Sequence, residues 1–420
     1  MFDQWRRLVG ANEVRSLLLS AAAYCALLAG YYMLRSLREA YALQVGREHI
    51  DVLFYTTFGV MLVVLPLYWF VVARVPRRWL VPLVYSIVIA LFAILGTGLS
   101  VNPDSRALAA VFWVSVTSLN LFIVSVFWST MVDAWQSGAA KRVFGFVAAG
   151  GSTGAMLGPL FNSLFVEDLG PVAVIFVACS LLGVAIIAAR LAQRALLARS
   201  DASRETLDIA VGGRATDDLR RLIRSNYLLA IAALIVAGQI LGAFMYNEQA
   251  RYVEAAYETL NARAALFARI DLAVNALSLA FQTLVVGWLA SRGGLRLALG
   301  AIPVLLMLSL ILLALLPMGA VLIATQVFRR AVDYGLFKPT REMLFTVLGS
   351  ETKFKSKSLL DTVLQRGGDS VGQLMYGLIA GLGLSGVAWV GAGVCALMVG
   401  LASWVGGRFN ARESGRREPA

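Results

Sequence analysis

Long apolar stretches alternate with short polar breaks from residue 15 to residue 407. Predominantly apolar runs occupy residues 17–33, 52–73, 80–99, 107–128 and 304–316. Several of them, wound as helices, are as long as a bilayer's hydrocarbon core is thick. Splitting the chain at the breaks predicts twelve helices, at 15–44, 50–74, 79–99, 107–135, 142–166, 171–192, 226–250, 264–291, 295–316, 319–345, 357–383 and 386–407. The breaks are turn or charge signals, such as Val75-Pro76-Arg77-Arg78, Asn102-Pro103-Asp104, Glu167-Asp168-Leu169-Gly170 and Ser291-Arg292-Gly293-Gly294. The pattern predicts an all-α membrane protein with twelve transmembrane helices.

Composition removes the soluble alternatives. Of 420 residues, 59% are hydrophobic and only 15% charged, and the mean hydropathy is +0.75. An average globular protein carries roughly a quarter charged residues. Soluble enzymes, DNA-binding domains and secreted disulfide scaffolds are excluded on that ground. The net charge of +12 would suggest a nucleic-acid partner in a soluble chain; here its distribution matters more. Lys and Arg crowd Arg6–Arg15, Arg74–Arg78, Lys141–Arg142, Arg190–Arg224, Arg292–Arg296, Lys353–Lys357 and Arg408–Arg417, whereas the alternate connections hold only Arg47, Arg106, Arg251 and Arg263. By the positive-inside rule both termini are expected in the cytoplasm.

Other chemistry is sparse. Cys25, Cys179 and Cys395 lie far apart inside apolar segments and read as small buried hydrophobes. His49 is the single histidine, so neither a histidine metal site nor a catalytic triad is expected, and no cofactor. The polar residues 1–15 run into the first apolar segment without a small-residue cleavage signature, which reads as a first transmembrane helix. The excess of arginine over lysine suggests a GC-rich bacterial gene, and the bacterial cytoplasmic (inner) membrane is the expected location.

One long polar connection follows the sixth helix. It divides the chain into an N-terminal six-helix bundle (1–192), a cytoplasmic linker (193–225), a C-terminal six-helix bundle (226–408) and a cytoplasmic tail (409–420). At one common offset Phe127–Thr130 falls on Phe337–Thr340 and Arg38 on Glu248, and Gly151 roughly matches Gly367. These weak repeats imply two pseudo-symmetric halves and resemble the architecture of the major facilitator superfamily.

Charged residues inside the predicted helices mark the candidate site. The bases are Arg35, Arg38, Arg269, Arg329, Arg330, Lys338, Arg341 and Arg366; the acids are Asp133, Glu248, Asp271, Asp333, Glu342, Asp361 and Asp369. A central arginine costs at least about 2.5–3.5 kcal/mol on insertion, so such residues normally face a polar cavity. Snorkelling at the interface is the alternative, weighted toward Arg269 and Arg329. An excess of guanidinium groups suits an anion, phosphate in particular. Tyr32, Trp128 and Tyr246 could stack a ring, or could simply pack. Gly150, Gly154 and Gly158 recur every four residues and permit close helix contact.

These clusters carry a family resemblance. Tyr32-Met-Leu-Arg-Ser-Leu-Arg38-Glu39, Val126-Phe-Trp-Ser-Thr-Met-Val-Asp133, Ala140-Lys-Arg-Val-Phe-Gly-Phe, Asp333-Tyr-Gly-Leu-Phe-Lys-Pro-Thr-Arg341-Glu-Met and Glu351-Thr-Lys-Phe-Lys-Ser-Lys-Ser-Leu-Leu-Asp361 with Gly367-Gly-Asp-Ser-Val-Gly372 resemble motifs of the nucleotide transporter family typified by plastid and parasite ATP/ADP translocases. The resemblance implies that Arg38, Asp133, Glu248 and Arg341 matter for exchange of a small anionic solute such as ATP or ADP. Lys338 stands where that family has an aspartate, making the site more positive. Helix direction suggests two ion-pair gates, Arg38 with Glu248 outside and Asp133 with Arg341 inside, in a carrier that could act as a monomer. The other readings are a proton-coupled facilitator for another solute, using Asp133, Glu248 or Asp361, and a membrane sensor or scaffold without transport. An enzyme is not expected.

Overall fold

In the computed structural model the described residues are 11–134, 137–197, 225–285, 294–344 and 364–417; they are overwhelmingly helical and contain no strand. Hydrocarbon offers no partner for backbone N–H and C=O groups, so apolar segments of this length satisfy them internally. The helices are α1 (Ala11–Val45), α2 (Ile50–Arg74), α3 (Arg77–Val101), α4 (Arg106–Ala134), α5 (Ser137–Leu197), α6 (Asn226–Ala256), α7 (Leu260–Ala280), α8 (Gly294–Leu315), α9 (Gly319–Val332), α10 (Lys338–Leu344), α11 (Gln365–Ile379) and α12 (Gly383–Arg417).

Eight stretches among the described residues are long and apolar enough to cross a membrane. Two of these, Phe144–Ala195 with 52 residues and Gln365–Asn410 with 46, would each span a core of about 30 Å twice at about 1.5 Å per residue. Each is broken by a glycine in the left-handed region, Gly170 at φ 77° and Gly383 at φ 68°. A side chain there would strain the backbone. Gly170 ends the Glu167–Gly170 break read from the sequence, and every one of the twelve predicted segments contains helix, consistent with twelve spans.

The departures are local. The predicted helix 319–345 is interrupted by a π-helical turn, Asp333–Phe337. Pro339 has no N–H to offer the carbonyl four residues back, and the ladder widens ahead of it, Lys338 N–H bonding Asp333 O. A second π turn, Phe281–Val285, extends α7. The last helix runs on to Arg417, past the predicted end at 407.

The described chain forms two compact units. One comprises Met1–His49, Gly59–Gly212 and Tyr257–Leu272; the other Ile50–Phe58, Gly213–Ala256 and Ala273–Ala420. In the first, α5 lies directly on α1. A Cβ on Gly150 would come within 2.5 Å of the Ala21 carbonyl oxygen, and Cβ atoms on Gly154 and Gly158 would collide with the carbonyls of Cys25 and Ala29. The glycine row therefore rides on a matching row of backbone carbonyls, the close approach that small residues allow. In the second unit α11 approaches α6 in the same way: a Cβ on Gly372 would lie 2.7 Å from Ala243 Cβ, and one on Gly368 would lie 3.1 Å from Gln239 Cβ. Its core is completed by α8 and α12, where Leu306, Leu310 and Leu313 meet Ala388, Cys395 and Met398. All three cysteines are free thiols, Cys179 and Cys395 buried.

Candidate substrate site

In the first unit the site residues come from the C-terminal half of α1. Arg35 is buried and pairs with Asp271 of α7, Nε to Oδ2, at 3.6 Å, and its guanidinium lies 5.3 Å from the Tyr32 ring centre. Asp271 is fully buried. One turn on, Arg38 pairs with its neighbour Glu39, donates to Thr117 Oγ1 of α4 at 3.3 Å and lies 5.5 Å over the Trp113 ring. Thr117 can accept because its own hydroxyl donates to the Trp113 carbonyl at 2.8 Å. Around Arg35, α1 is pinned by buried Asn162 of α5, whose amide donates to the Met33 carbonyl at 2.8 Å and to the Ser36 hydroxyl at 2.5 Å. Two bases one turn apart are thus held by aromatic faces and carboxylates of their own unit.

Trp128 belongs to an aromatic cluster. Its indole N–H donates to Tyr24 Oη at 3.2 Å, Tyr24 stacks on Phe127 at 4.5 Å, and Phe144 meets Trp128 edge-on at 5.5 Å. Arg269 is largely exposed and only 3.7 Å from exposed Glu167, an arrangement that fits an interfacial arginine.

In the second unit the carboxylate of Glu248 is buried on α6. Tyr376 of α11 donates to its Oε1 at 2.9 Å, and Arg251 approaches Oε2 at 3.5 Å. The same arginine donates to Tyr376 Oη and to the Ala380 carbonyl, both at 3.3 Å. This cluster is one rung of a polar ladder along the α6–α11 seam. Asn247 donates to Gln373 Oε1 at 2.8 Å, and Gln239 donates to Asp369 Oδ1 at 2.7 Å. Asp369 Oδ2 is 3.2 Å from Arg366. Tyr246, beside Glu248, meets Phe54 edge-on at 5.5 Å.

The remaining bases lie around the π turn. Lys338 sits 4.2 Å over the Tyr334 ring, and Arg341 is buried with Glu342 at 3.8 Å. The turn packs against the end of α7: a Cβ on Gly335 would lie 2.8 Å from Ser278 O, and Gln282 donates to the Tyr334 carbonyl at 3.1 Å. Tyr227 of α6 donates to the Leu344 carbonyl at 2.9 Å and so caps α10. Arg329 donates to Gln326 at 2.9 Å and borders a cavity of about 20 Å³ with Asp333 and Phe337, room for a water but not a nucleotide. Asp361 and the side chain of Asp133 lie outside the described residues.

Sequence reading did not single out Arg251, Tyr376 or the Asn247–Gln373 pair, and it noted Asp271 without placing it in the site. The available signal was helical spacing: Arg366, Asp369, Gln373 and Tyr376 fall on one face of α11.

Glycine-seamed packing of long apolar helices gives this chain a fold that solved structures of membrane transporters share. The chain superposes on a peptide-bound POT family transporter with a TM-score of 0.65 at 11% identity, covering 94% of this chain and 96% of that one. The nucleoside transporter NupG gives 0.61 at 13%, covering 94% and 99%. A bacterial homologue of the iron transporter ferroportin gives 0.65 at 13%, covering 94% and 98%. Residues 300–406 match the family model described as TLC ATP/ADP transporter, which bears out the motif resemblance over that part of the chain. No curated protein matches.

Proposed function

We propose that the chain is an alternating-access carrier that exchanges an anionic, phosphorylated, nucleotide-like solute across a bacterial cytoplasmic membrane, with both termini inside. The observation that carries this reading is the family match over residues 300–406, which includes Lys338 and Arg341. Buried Arg35 and Arg341 and the half-buried Arg38 support it, because guanidinium groups offer paired donors to phosphate oxygens. Arg38, Asp133, Glu248 and Arg341 are the proposed exchange residues. In the cycle an arginine gives up a carboxylate to the cargo and regains one when the cargo leaves. Stripping one member of a buried pair costs about 3–5 kcal/mol, so the empty carrier reorients slowly and exchange dominates.

Counterflow tests this. Purified protein in liposomes should take up labelled ATP or ADP rapidly only when unlabelled nucleotide is inside. Equally fast uptake into empty vesicles would overturn exchange. Uptake of an uncharged solute that collapses with a protonophore would favour proton-coupled facilitation instead.

A further inference from the structure

A second set of arginines has no part in the cargo site. At the start of α3 the Arg190 guanidinium of α5 lies 4.1 Å over the Trp79 ring. Arg194 is exposed one turn further along α5. Just before the α2–α3 turn Arg74 lies 3.8 Å over Phe70. Among the described residues none of Arg74, Arg190 and Arg194 has a carboxylate partner. Stacking uses the face of a guanidinium and leaves its N–H edges free to donate.

What lies beside them is apolar. Helices α3 and α5 run antiparallel in a fixed register: Gly96 packs against Ile175, with a Cβ there 3.2 Å from its Cγ2. Cys179 Sγ is 3.9 Å from Ile89 O, and Arg190 reaches Trp79. In that register exposed Leu83 and Ile87 of α3 and exposed Val184, Ile187 and Leu191 of α5 follow directly from the arginines. The occupant that suits this corner has an anionic head and hydrocarbon tails.

We propose that the α3–α5 corner is a binding site for an anionic phospholipid, its phosphate on Arg190 and Arg194, its acyl chains along the α3–α5 wall. A free phosphate or nucleotide would use the same donors but has no chains for the wall. A zwitterionic phospholipid has the chains but carries a cationic ammonium group that opposes the guanidinium charge.

The test uses the full chain in detergent, read by thermal unfolding and by counting lipid retained after washing. Dioleoyl-phosphatidylglycerol should raise the midpoint by about 2 °C or more and stay bound. Dioleoyl-phosphatidylcholine should do neither, and inorganic phosphate should give no shift that depends on Arg190 and Arg194. The R190Q/R194Q variant should lose most of the shift. R408Q removes an arginine stacked on Trp404 of α12 and should keep it. An equal shift with phosphatidylcholine, a shift with inorganic phosphate that R190Q/R194Q abolishes, or loss in R408Q as large as in R190Q/R194Q would overturn the site. So would full retention of the shift in R190Q/R194Q. If the double variant folds poorly, an equal response of the wild-type protein to phosphatidylglycerol and phosphatidylcholine still overturns the proposal, and the lipid arms do not depend on the cargo.

Discussion

Glu248 shows what a single residue can and cannot reveal. An acid within an apolar helix is conspicuous in a sequence because of its insertion cost; a tyrosine in such a helix is not. Tyr376 is nevertheless the group that donates to the buried carboxylate at 2.9 Å. A hydrogen bond to a charged group is worth about 1.5–3 kcal/mol, so Tyr376→Phe should lower thermal stability by an amount in that range. Tyr376→Phe on a Glu248→Gln background should cost less, because the acceptor is then uncharged. Equal losses in the two backgrounds would show that the hydroxyl serves something other than the carboxylate. Asp271 follows the same logic in the first unit. Asp271→Ala leaves Arg35 buried without its carboxylate, and the expected loss is about 3–5 kcal/mol, measured as the unfolding midpoint. The Arg35→Asp/Asp271→Arg exchange should recover a substantial part of it.

Among the elements, the α1–α5 pair is the most legible. The four-residue glycine spacing predicted close packing, and the structure sets Gly150, Gly154 and Gly158 against carbonyls four residues apart on α1. Backbone carbonyls cannot rotate away as side chains can. Gly154→Ala should therefore destabilise by about 1–3 kcal/mol, the usual cost of overpacking. Gly183→Ala on the same element meets nothing within 4 Å and should be neutral or stabilising by up to about 1 kcal/mol. Comparing the two melting temperatures separates a packing cost from a general intolerance of glycine loss. The π turn at Asp333–Phe337 was not legible in advance. Pro339 marks a disturbed helix, but whether a proline yields a kink, a break or a widened turn depends on what faces it. Here the Gln282 amide waits for the Tyr334 carbonyl.

For the whole molecule the testable quantity is the exchange proposed above, and the predictions that follow rest on that proposal. Arg38→Ala and Arg341→Ala should each reduce nucleotide counterflow more than tenfold, since losing one partner of a buried charge pair costs about 2–5 kcal/mol and each 1.4 kcal/mol is a factor of ten. Arg269→Ala, at an exposed pair with Glu167, should leave the rate nearly unchanged. Initial rates in preloaded liposomes check all three, and a large loss in Arg269→Ala would place the cargo path elsewhere. The amino-acid sequence by itself determined the solvent this chain lives in, where its helices run and which charges pay to be there. Each of these depends on local patterns of apolar and polar residues, and a bilayer leaves such segments little choice but helix. Only the tertiary structure decided the partners. Asp271 answers Arg35, Tyr376 answers Glu248 and the α1 carbonyls meet the α5 glycines because packing brings together residues more than a hundred positions apart, and no local pattern encodes which of many compatible neighbours arrives.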